Sequence, residues 1–264
     1  MMALTTALVT GASSGIGYEI SKVLAEEGHD LVLVARREER LKQLAQYLEK
    51  DFNITVTVIA ADLTKTSEID RIFDMLKDQG IPVDILVNNA GLGSWGPLTA
   101  DDKNTEIQQM QVNVIATTYM TKKFAVDMVR RGLGKILNIA SLSGFTPWPY
   151  MAVYSATKAY IIDFSEALRA ELKGTGVSVT VSCPGPTSSE FHQVSGTSGV
   201  GFLRFIPVMG SAQVARASIS AMHKRKGVVV HGWLNLGYSL LPRIMPRNWM
   251  LRVMKWILKP GRHH

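Results

Sequence analysis

"TTALVTGASSGIG", residues 5–17, joins a short apolar run to a helical stretch through a turn that holds three glycines. The run at 5–10 predicts a buried strand. Gly11 permits a tight turn, Gly15 lets the backbone approach a ligand, and Gly17 lets the helix pack closely on the strand. The N–H groups at the start of such a helix are unpaired and, with the helix dipole, favour a phosphate group. A strand, this turn and a helix in succession predict a dinucleotide-binding turn.

The alternation of short apolar runs with amphipathic helical stretches continues along the chain, which is typical of βαβ units and a parallel sheet. Strands are expected at 5–10, 30–35, 55–62, 83–91, 134–141, 177–185 and 227–232. Helices are expected over about 15–27, 37–51, 67–79, 104–130 and 154–173. No linker or repeat divides residues 1–264. The predicted fold class is therefore α/β, a single domain with a doubly wound parallel sheet of about seven strands and helices on both faces, which is a Rossmann fold.

Composition favours a globular protein, since 46% of the residues are hydrophobic and only 19% are charged. No apolar run is long enough to span a bilayer, and no signal-type segment opens the chain. The single Cys183 excludes an internal disulfide and a cysteine-rich metal site. No grouping of His, Asp and Glu has metal-ligand spacing, so no metal is expected. These features predict a cytoplasmic protein.

Charge is distributed unevenly along the chain. Residues 1–190 contain 18 basic and 22 acidic side chains, whereas residues 191–264 contain 11 basic side chains and no acidic one. A basic region of this kind can attract anionic lipid, phosphorylated ligands or nucleic acid. Because no nucleic-acid motif accompanies it, nucleic acid is not expected as a partner.

The residues after the second strand indicate which nucleotide binds. Folds of this type that bind NAD place an acidic residue about 20 residues beyond the glycine turn, where it holds the ribose 2′-hydroxyl. That position here reads Ala35–Arg36–Arg37, which has no carboxylate to repel a 2′-phosphate. Arg36 and Arg37 are placed to pair with such a phosphate instead. The sequence therefore predicts NADP(H).

Four polar residues, Asn113, Ser141, Tyr154 and Lys158, fall on successive elements of the predicted sheet. A Tyr and a Lys four residues apart share a helix face, and such pairs are common by chance. Ser141, however, ends the fifth strand, and Tyr154 begins the next helix. The carboxyl ends of parallel strands form the ligand crevice, so both side chains are expected to face a bound nicotinamide.

The chemistry of carbonyl reduction suits these residue types. Hydride transfer to a ketone leaves an oxygen that needs a proton, and a free phenol has a pKa of about 10. The Lys158 ammonium is expected to lower the pKa of Tyr154, which then acts as general acid in reduction and as base in oxidation. Ser141 can donate a hydrogen bond to the substrate oxygen. Lys158 can also reach the nicotinamide ribose.

Taken together, these motifs resemble those of the short-chain dehydrogenase/reductase family, and the resemblance runs from about Leu4 to Glu190. It is carried by "TGASSGIG" (10–17), Asp62, "NNAG" (88–91), Asn113, Ser141, "YSATK" (154–158) and "PGPT" (184–187). Three further stretches, "ARREERL", "NNAGLGSWGPL" and "PWPYMAVYSATKAYIIDFSEALRAEL", resemble the NADP-dependent branch of bacterial oxidoreductases, whose relatives include 3-ketoacyl and steroid reductases.

The resemblance implies roles for residues along the cofactor. Those implied to bind it are Gly11, Ser13, Ser14, Gly15, Ile16 and Gly17 at the phosphates, Arg36 and Arg37 at the 2′-phosphate, Asp62 and Leu63 at the adenine, Asn89, Ala90 and Gly91 along the floor, Tyr154 and Lys158 at the ribose, and Pro184, Gly185 and Thr187 at the carboxamide. Asn113 is implied to hold a proton-relay water. Members of the family usually self-associate, which implies a homodimer or homotetramer.

The residues expected to touch the substrate are mainly apolar. Besides Ser141 and Tyr154, they are Trp95, Phe145, Trp148, Tyr150 and Phe191. Residues 186–209 are rich in Gly, Ser and Thr and are expected to form a mobile substrate loop, in which Phe202 and Phe205 could close over the site and exclude water. This set favours a sizeable apolar ketone or aldehyde.

The basic C-terminal extension, about 243–264, departs from a plain catalytic core. Read as a helix, "RNWMLRVMKWILKP" (247–260) places three basic residues on a narrow face and a broad apolar face beside it. The basic residues are Arg252, Lys255 and Lys259, and the apolar ones are Trp249, Met250, Val253, Trp256 and Ile257. Burial against a second subunit, contact with a membrane surface, and a dock for coenzyme A or an acyl-carrier protein all fit this pattern.

The leading hypothesis is an NADPH-dependent carbonyl reductase or alcohol dehydrogenase. A 3-ketoacyl thioester or hydroxysteroid reductase is the alternative enzyme, which the basic C-terminal third would suit. A sensor or scaffold that binds NADP(H) without turnover is the alternative from another class. The complete set of four polar residues argues against the sensor, because a sensor needs no proton donor.

Overall fold

The structure is a computed structural model that describes residues 5–100, 105–191, 195–196 and 208–259, with only the backbone of Arg243. Its strands are β1 (Thr6–Thr10), β2 (Asp30–Ala35), β3 (Val56–Ala60), β4 (Ile85–Asn88), β5 (Gly134–Ile139), β6 (Val177–Cys183), β7 (Thr187–Ser188), β8 (Met209–Gly210) and β9 (Val228–Val230). Seven of them form one sheet in the order β3–β2–β1–β4–β5–β6–β9, and every pairing in it is parallel. Strands β7 and β8 pair separately.

Helices connect the strands. They are α1 (Gly15–Glu26), α2 (Glu38–Phe52), α3 (Thr66–Asp78), α4 (Thr105–Met110), α5 (Thr117–Arg131), α6 (Ala152–Glu171), α7 (Ser211–His223), α8 (Trp233–Leu240) and α9 (Arg247–Leu258). A π-helical segment, Gln111–Ala116, joins α4 to α5, and two 3₁₀ turns lie at Leu142–Phe145 and Leu241–Arg243.

Helices cover both faces of the sheet. Helices α1, α2 and α7 pack on one face, where Leu24, Leu41 and Ile219 lie in one buried cluster with strand residues. Helices α3 and α5 pack on the other face through side chains such as Ile72 and Phe124. A strand covered on both faces needs apolar residues at consecutive positions, which is why "DLVLVA" (30–35) reads as a continuous apolar run. The predicted doubly wound sheet is confirmed.

The strand order reverses between β1 and β4, because β2 and β3 lie on one side of β1 and β5, β6 and β9 lie beyond β4. Ligands of open parallel sheets bind at the carboxyl ends of the strands next to such a reversal. The glycine turn after β1 and the segment after β4 therefore flank one crevice.

Three predicted segments differ from the observed ones. The helix expected at 104–130 is two α-helices joined by the π-helical segment, which buries Asn113. The strand expected at 83–91 ends at Asn88, because the next residues turn into the crevice. The loop expected at 186–209 contains strand β7 and the first residue of strand β8. Phe202 and Phe205, which were expected to close over the site, lie outside the described residues.

Candidate active site

The glycine turn after β1 is locked to the end of β4. Gly11 has a φ of +67°, and a Cβ there would lie 2.8 Å from Asn89 Nδ2. The Asn89 side chain donates to the carbonyl oxygen of Thr10 (2.9 Å), while Thr10 Oγ1 accepts from the backbone N–H of Asn89 and of Ala90 (3.0 Å each). A side chain at Gly17 would collide with Asn89 Nδ2. Both glycines are therefore required by close packing beneath the site.

A cavity of about 380 Å³ opens at the carboxyl ends of the strands. It brings together nearly all the residues predicted to bind cofactor. Those lining it are Gly11, Ser13, Ser14, Gly15, Ile16, Arg36, Arg37, Asp62, Leu63, Asn89, Ala90, Gly91, Tyr154, Lys158, Pro184, Gly185 and Thr187. Gly17 does not line it and acts through packing alone. The cavity continues from this set to Trp95, Trp148 and Phe191, so the walls predicted for cofactor and for substrate adjoin.

Arg37 forms a cradle of donors at the end of the cavity next to the glycine turn. Its guanidinium donates to Ser13 Oγ (3.1 and 3.2 Å) and to Ser14 Oγ (2.7 Å), which fixes it above the glycine turn. The Glu190 carboxylate accepts from Arg37 Nη1 at 2.8 Å and from Arg40 Nη1 at 2.6 Å. An anion therefore already occupies the position that the sequence predicts for a 2′-phosphate, and it comes from the chain itself.

The hydrogen bonds from Arg37, and next those from Arg40, lower the pKa of Glu190 to about 2. The carboxylate is thus charged at neutral pH and competes with any other anion for the same donors. Sequence reasoning missed Glu190, since it lies 153 residues from Arg37 along the chain. Its only sequence signal is that it is the last acidic residue before a stretch that has none.

Ser141 and Tyr154 meet in the cavity wall. Ser141 Oγ accepts from the backbone N–H (3.2 Å) and the hydroxyl (3.0 Å) of Ser143, which leaves its own proton for the Tyr154 phenol. Burial raises the pKa of Tyr154 to about 12, and the hydrogen bond from Ser141 opposes this increase. The Tyr154 ring packs against Phe191, with 5.4 Å between ring centroids.

Lys158 lies one helical turn beyond Tyr154 and is almost fully buried. Its Nζ donates to the carbonyl oxygen of Ile139 at 2.9 Å and lies 5.7 Å from the centroid of the Tyr154 ring. Burial lowers the pKa of Lys158 to about 8. The expectation that the ammonium lowers the pKa of Tyr154 is therefore wrong for this structure, because burial raises that pKa and Lys158 donates to the backbone instead. The phenol keeps its proton at neutral pH, which suits a proton donor.

Asn113 lies behind the cavity wall and does not line it. Its Oδ1 accepts from the backbone N–H of Leu92 (2.8 Å), and its Nδ2 donates to Leu92 O and to Thr157 Oγ1 (2.9 Å each). π-Helical segments often occur at functional sites, and this one turns Asn113 inward. The structure places Asn113 as a support for the loop after β4. Its role in a water relay stays a prediction.

The comparison with known families agrees with this geometry. The sequence model described as short chain dehydrogenase matches residues 5–198. The chain belongs to this family. It is thus an oxidoreductase whose cofactor is a pyridine nucleotide.

Individual relatives extend over most of this dehydrogenase. An uncharacterized oxidoreductase of Staphylococcus epidermidis is 39% identical over 179 residues, 68% of this chain and 76% of the relative. The very-long-chain 3-oxoacyl-CoA reductase of Anas platyrhynchos is 30% identical over 256 residues, 95% of this chain and 80% of the relative. A short-chain dehydrogenase from Sphingobium yanoikuyae, solved in complex with NADPH, has a TM-score of 0.81 and 30% identity, covering 92% of this chain and 97% of its own.

Of the five aromatic side chains predicted to touch the substrate, three line the cavity, whereas Phe145 and Tyr150 do not. Trp95, Trp148 and Phe191 line the cavity. Phe145 does not, because the 3₁₀ turn at Leu142–Phe145 directs it to a cluster formed by α6, β6 and β9. Its position as a substrate contact was wrong, since loop proximity in sequence did not give the direction of the side chain.

Helix α9 supplies a wall that the sequence did not predict. Leu258 lines the cavity, and its carbonyl oxygen accepts from Trp95 Nε1 at 3.2 Å. Met250 and Met254 pack with Trp148 and other residues in the same cluster. The amphipathic pattern predicted the helix, but nothing in the pattern indicated that its apolar side would close the site.

Three potential metal ligands gather outside the cavity, and their spacing in sequence did not predict this cluster. One ligand atom each of Glu27, His29 and His223 lies within 4.8 Å of the others. Lys135 Nζ is 2.9 Å from His223 Nδ1, and an ammonium can only donate, so His223 Nε2 carries the proton that it donates to Glu27 (2.8 Å). This nitrogen has no lone pair for a metal, and hydrogen bonds account for the cluster.

Proposed function

We propose that this dehydrogenase is an NADP(H)-dependent reductase of apolar ketones or aldehydes, which also oxidises the corresponding alcohols. The observation that carries the proposal is one continuous cavity in which the Arg37 cradle adjoins Tyr154 and Ser141, with Lys158 buried beside them. The cradle fits a phosphate by its chemistry, because it is built of guanidinium and hydroxyl donors above a helix N-terminus. Gly15, which has a φ of +58°, lies in the same wall, and a Cβ there would be 3.2 Å from Ser189 Cβ.

When bound, NADPH supplies the hydride. The residues of the chain do the rest. Tyr154 holds a proton at its phenolic oxygen and gives it to the substrate oxygen as negative charge develops there. Ser141 donates a hydrogen bond to the same oxygen, and Lys158 brings positive charge into a water-poor wall where it acts strongly. Phe191, Trp95 and Leu258 exclude water and accept the apolar part of the substrate.

A carbonyl panel tests the activity. NADPH oxidation should be observed with bulky apolar ketones and aldehydes and should be much weaker with small charged 2-oxo acids, because the substrate end of the cavity is lined by aromatic and aliphatic side chains. The measurement is the loss of NADPH absorbance with each carbonyl, with enzyme-free and substrate-free reactions as controls. Preferred turnover of small charged carbonyls would contradict the assignment of the apolar wall.

A 3-ketoacyl thioester or hydroxysteroid reductase remains the second candidate. The likeness to a very-long-chain 3-oxoacyl-CoA reductase over 95% of this chain favours it, as does the apolar wall formed by Met250, Met254 and Leu258. Adding 3-oxoacyl-CoA thioesters of increasing chain length and 3-oxosteroids to the panel separates the two. The second candidate requires kcat/KM for these compounds to exceed that for simple ketones.

The Arg37 cradle predicts the cofactor preference. Arg37→Ala should lower the affinity for NADPH by about 10- to 100-fold while leaving that for NADH nearly unchanged, because only NADPH carries the 2′-phosphate. Glu190→Gln should act in the opposite direction and raise NADPH affinity by up to about fivefold, since it removes a competing carboxylate from an exposed ion pair. Both constants are measured by tryptophan fluorescence titration.

NADH is the matched control for both variants. Equal loss of both cofactors in Arg37→Ala would show that the guanidinium only supports the glycine turn. An unchanged NADPH dissociation constant in Glu190→Gln would show that the 2′-phosphate does not displace the carboxylate.

A further inference from the structure

The segment from 233 to 256 exposes a concentrated set of large apolar side chains. Nine of the nineteen such exposed side chains found in the described residues lie in it. We call this set the C-terminal face; it consists of Trp233, Leu234, Leu236, Leu240, Ile244, Met245, Trp249, Val253 and Trp256. Trp233 is 79% exposed and Ile244 is 81% exposed, which few soluble surfaces tolerate without a partner.

Helix α9 divides its apolar residues between two opposite sides. Met250, Met254 and Leu258 are almost fully buried against the cavity wall. Trp249 and Val253 face outward and are 67% and 48% exposed. The broad apolar face in the sequence is therefore two faces, of which only the inner one is needed to close the active site.

Basic side chains border the outer apolar stripe. At 100° per residue, Arg252 lies about 40° from Trp256 and about 60° from Trp249 on the helix surface, with Lys255 about 60° further round. Lys259 directly follows the last helical residue, Leu258. All three are exposed. Residues 191–264 contain 11 basic side chains and no acidic one, so no carboxylate of the segment offsets this charge.

The charge argues against a second copy as the occupant of this face. In a twofold symmetric contact the same patch meets itself, so Arg252, Lys255 and Lys259 of two copies would approach one another without an acid from the segment. A second exposed apolar surface, formed by α4, the π-helical segment and α5, is the better place for the self-association that the family resemblance implies. It includes Ile107, Met110, Ile115, Val126, Val129 and Leu133.

We propose that the C-terminal face binds the surface of an anionic lipid bilayer. Outward tryptophan and aliphatic side chains next to Lys and Arg are the pattern of helices that lie in the interface, with the rings at headgroup depth and the cations on lipid phosphates. Among the described residues, no helix combines the length and hydrophobicity needed to cross a bilayer, so the contact is peripheral.

The position of α9 connects this surface to the cavity. Its inner side, through Leu258, lines the cavity, and Trp95 is hydrogen-bonded to the last turn of the helix. A protein that rests on lipid through the outer side of α9 holds its substrate wall one helix diameter from the bilayer. Apolar carbonyl compounds dissolved in the lipid would then have direct access to the cavity. This consequence rests on the proposed function, whereas the proposal that the C-terminal face binds lipid does not.

Vesicle sedimentation of the full chain tests the proposal. At low salt the protein should sediment with vesicles of phosphatidylcholine and phosphatidylglycerol in equal parts, and only weakly with phosphatidylcholine alone. Arg252→Gln/Lys255→Gln should lower the affinity for the anionic vesicles by about 30-fold, from two lost charges near the surface. Trp249→Ser/Val253→Ser should lower it for both compositions. Leu98→Ser, at an apolar position that is 67% exposed and lies outside both apolar surfaces, is the control and should bind like the parent protein.

Three results would overturn the proposal: no sedimentation with anionic vesicles at low salt, binding that neither C-terminal double variant weakens, or a smaller oligomeric mass in Trp249→Ser/Val253→Ser with unchanged vesicle binding. The last result would assign the face to a second copy. Circular dichroism spectra that match that of the parent protein show that the variants are folded. Lipid binding without any turnover would remove the proposed function and leave this surface standing.

Discussion

Tyr154→Phe is expected to lower kcat for carbonyl reduction by about 10²- to 10⁴-fold, because it removes the proton donor that lies beside the substrate wall. The phenol is buried and protonated at neutral pH. Phenylalanine keeps the ring that packs against Phe191 at 5.4 Å, so the cavity should keep its shape. NADPH affinity should change little. Single-turnover NADPH oxidation and a fluorescence titration measure the two quantities separately.

Tyr160→Phe is the matched control for this experiment. Tyr160 lies on the same helix, but it is exposed and its hydroxyl is bonded to Thr118 (2.9 Å), away from the cavity. It should react like the parent enzyme. A Tyr154→Phe protein that binds NADPH and turns over at the parental rate would remove Tyr154 from catalysis. A parent protein that binds NADPH tightly and turns over no carbonyl would favour the sensor.

The sheet could be predicted from sequence because its strands are buried on both faces. Consecutive apolar residues are then required, and "DLVLVA" gave the bounds of β2 without error. The glycine turn was equally readable, since Gly11 and Gly17 admit no side chain against Asn89. Positions governed by the backbone and by complete burial leave such signals in the sequence.

Other features depend on side-chain directions and on contacts distant in sequence, which no local pattern contains. The aromatic character of Phe145 was visible, but its burial beneath α6 was not. The ion pair between Glu190 and Arg37 joins residues 153 positions apart. Burial reversed the expected shift in the pKa of Tyr154, because the sequence shows the neighbouring Lys158 but not the loss of water around the phenol.

Lys158→Met should separate catalysis from stability. Activity should fall by about 10²- to 10³-fold, because the variant removes the only ammonium among the residues that line the described cavity. The folded protein should nevertheless become more stable in the absence of cofactor. The ammonium is buried, and the structure gives it one hydrogen bond, to Ile139 O, in place of full hydration. Active sites commonly hold such groups at a cost in stability.

The pH dependence of stability identifies the cause. Burial lowers the pKa of Lys158 from 10.5 to about 8, so between these values the unfolded chain binds more protons than the folded one. The free energy of unfolding of the parent protein therefore increases as the pH rises through that range, because the cost of burying a charged Lys158 is progressively removed. Lys158→Met should be more stable by up to about 3 kcal/mol near pH 7, and the difference should shrink towards about pH 10.

Urea unfolding of both proteins at the two pH values measures the difference, with Lys173→Met, an exposed position just beyond the same helix, as the control that should show no such trend. A variant that is less stable than the parent at neutral pH would mean that the hydrogen bond to Ile139 outweighs the burial of the charge. A difference that does not change with pH would assign the effect to packing of the new side chain. We expect three results together: Lys158→Met loses activity, it is more stable than the parent protein near pH 7, and the difference in free energy of unfolding shrinks as Lys158 loses its proton. This combination identifies Lys158 as a buried cation that serves catalysis at a cost in stability.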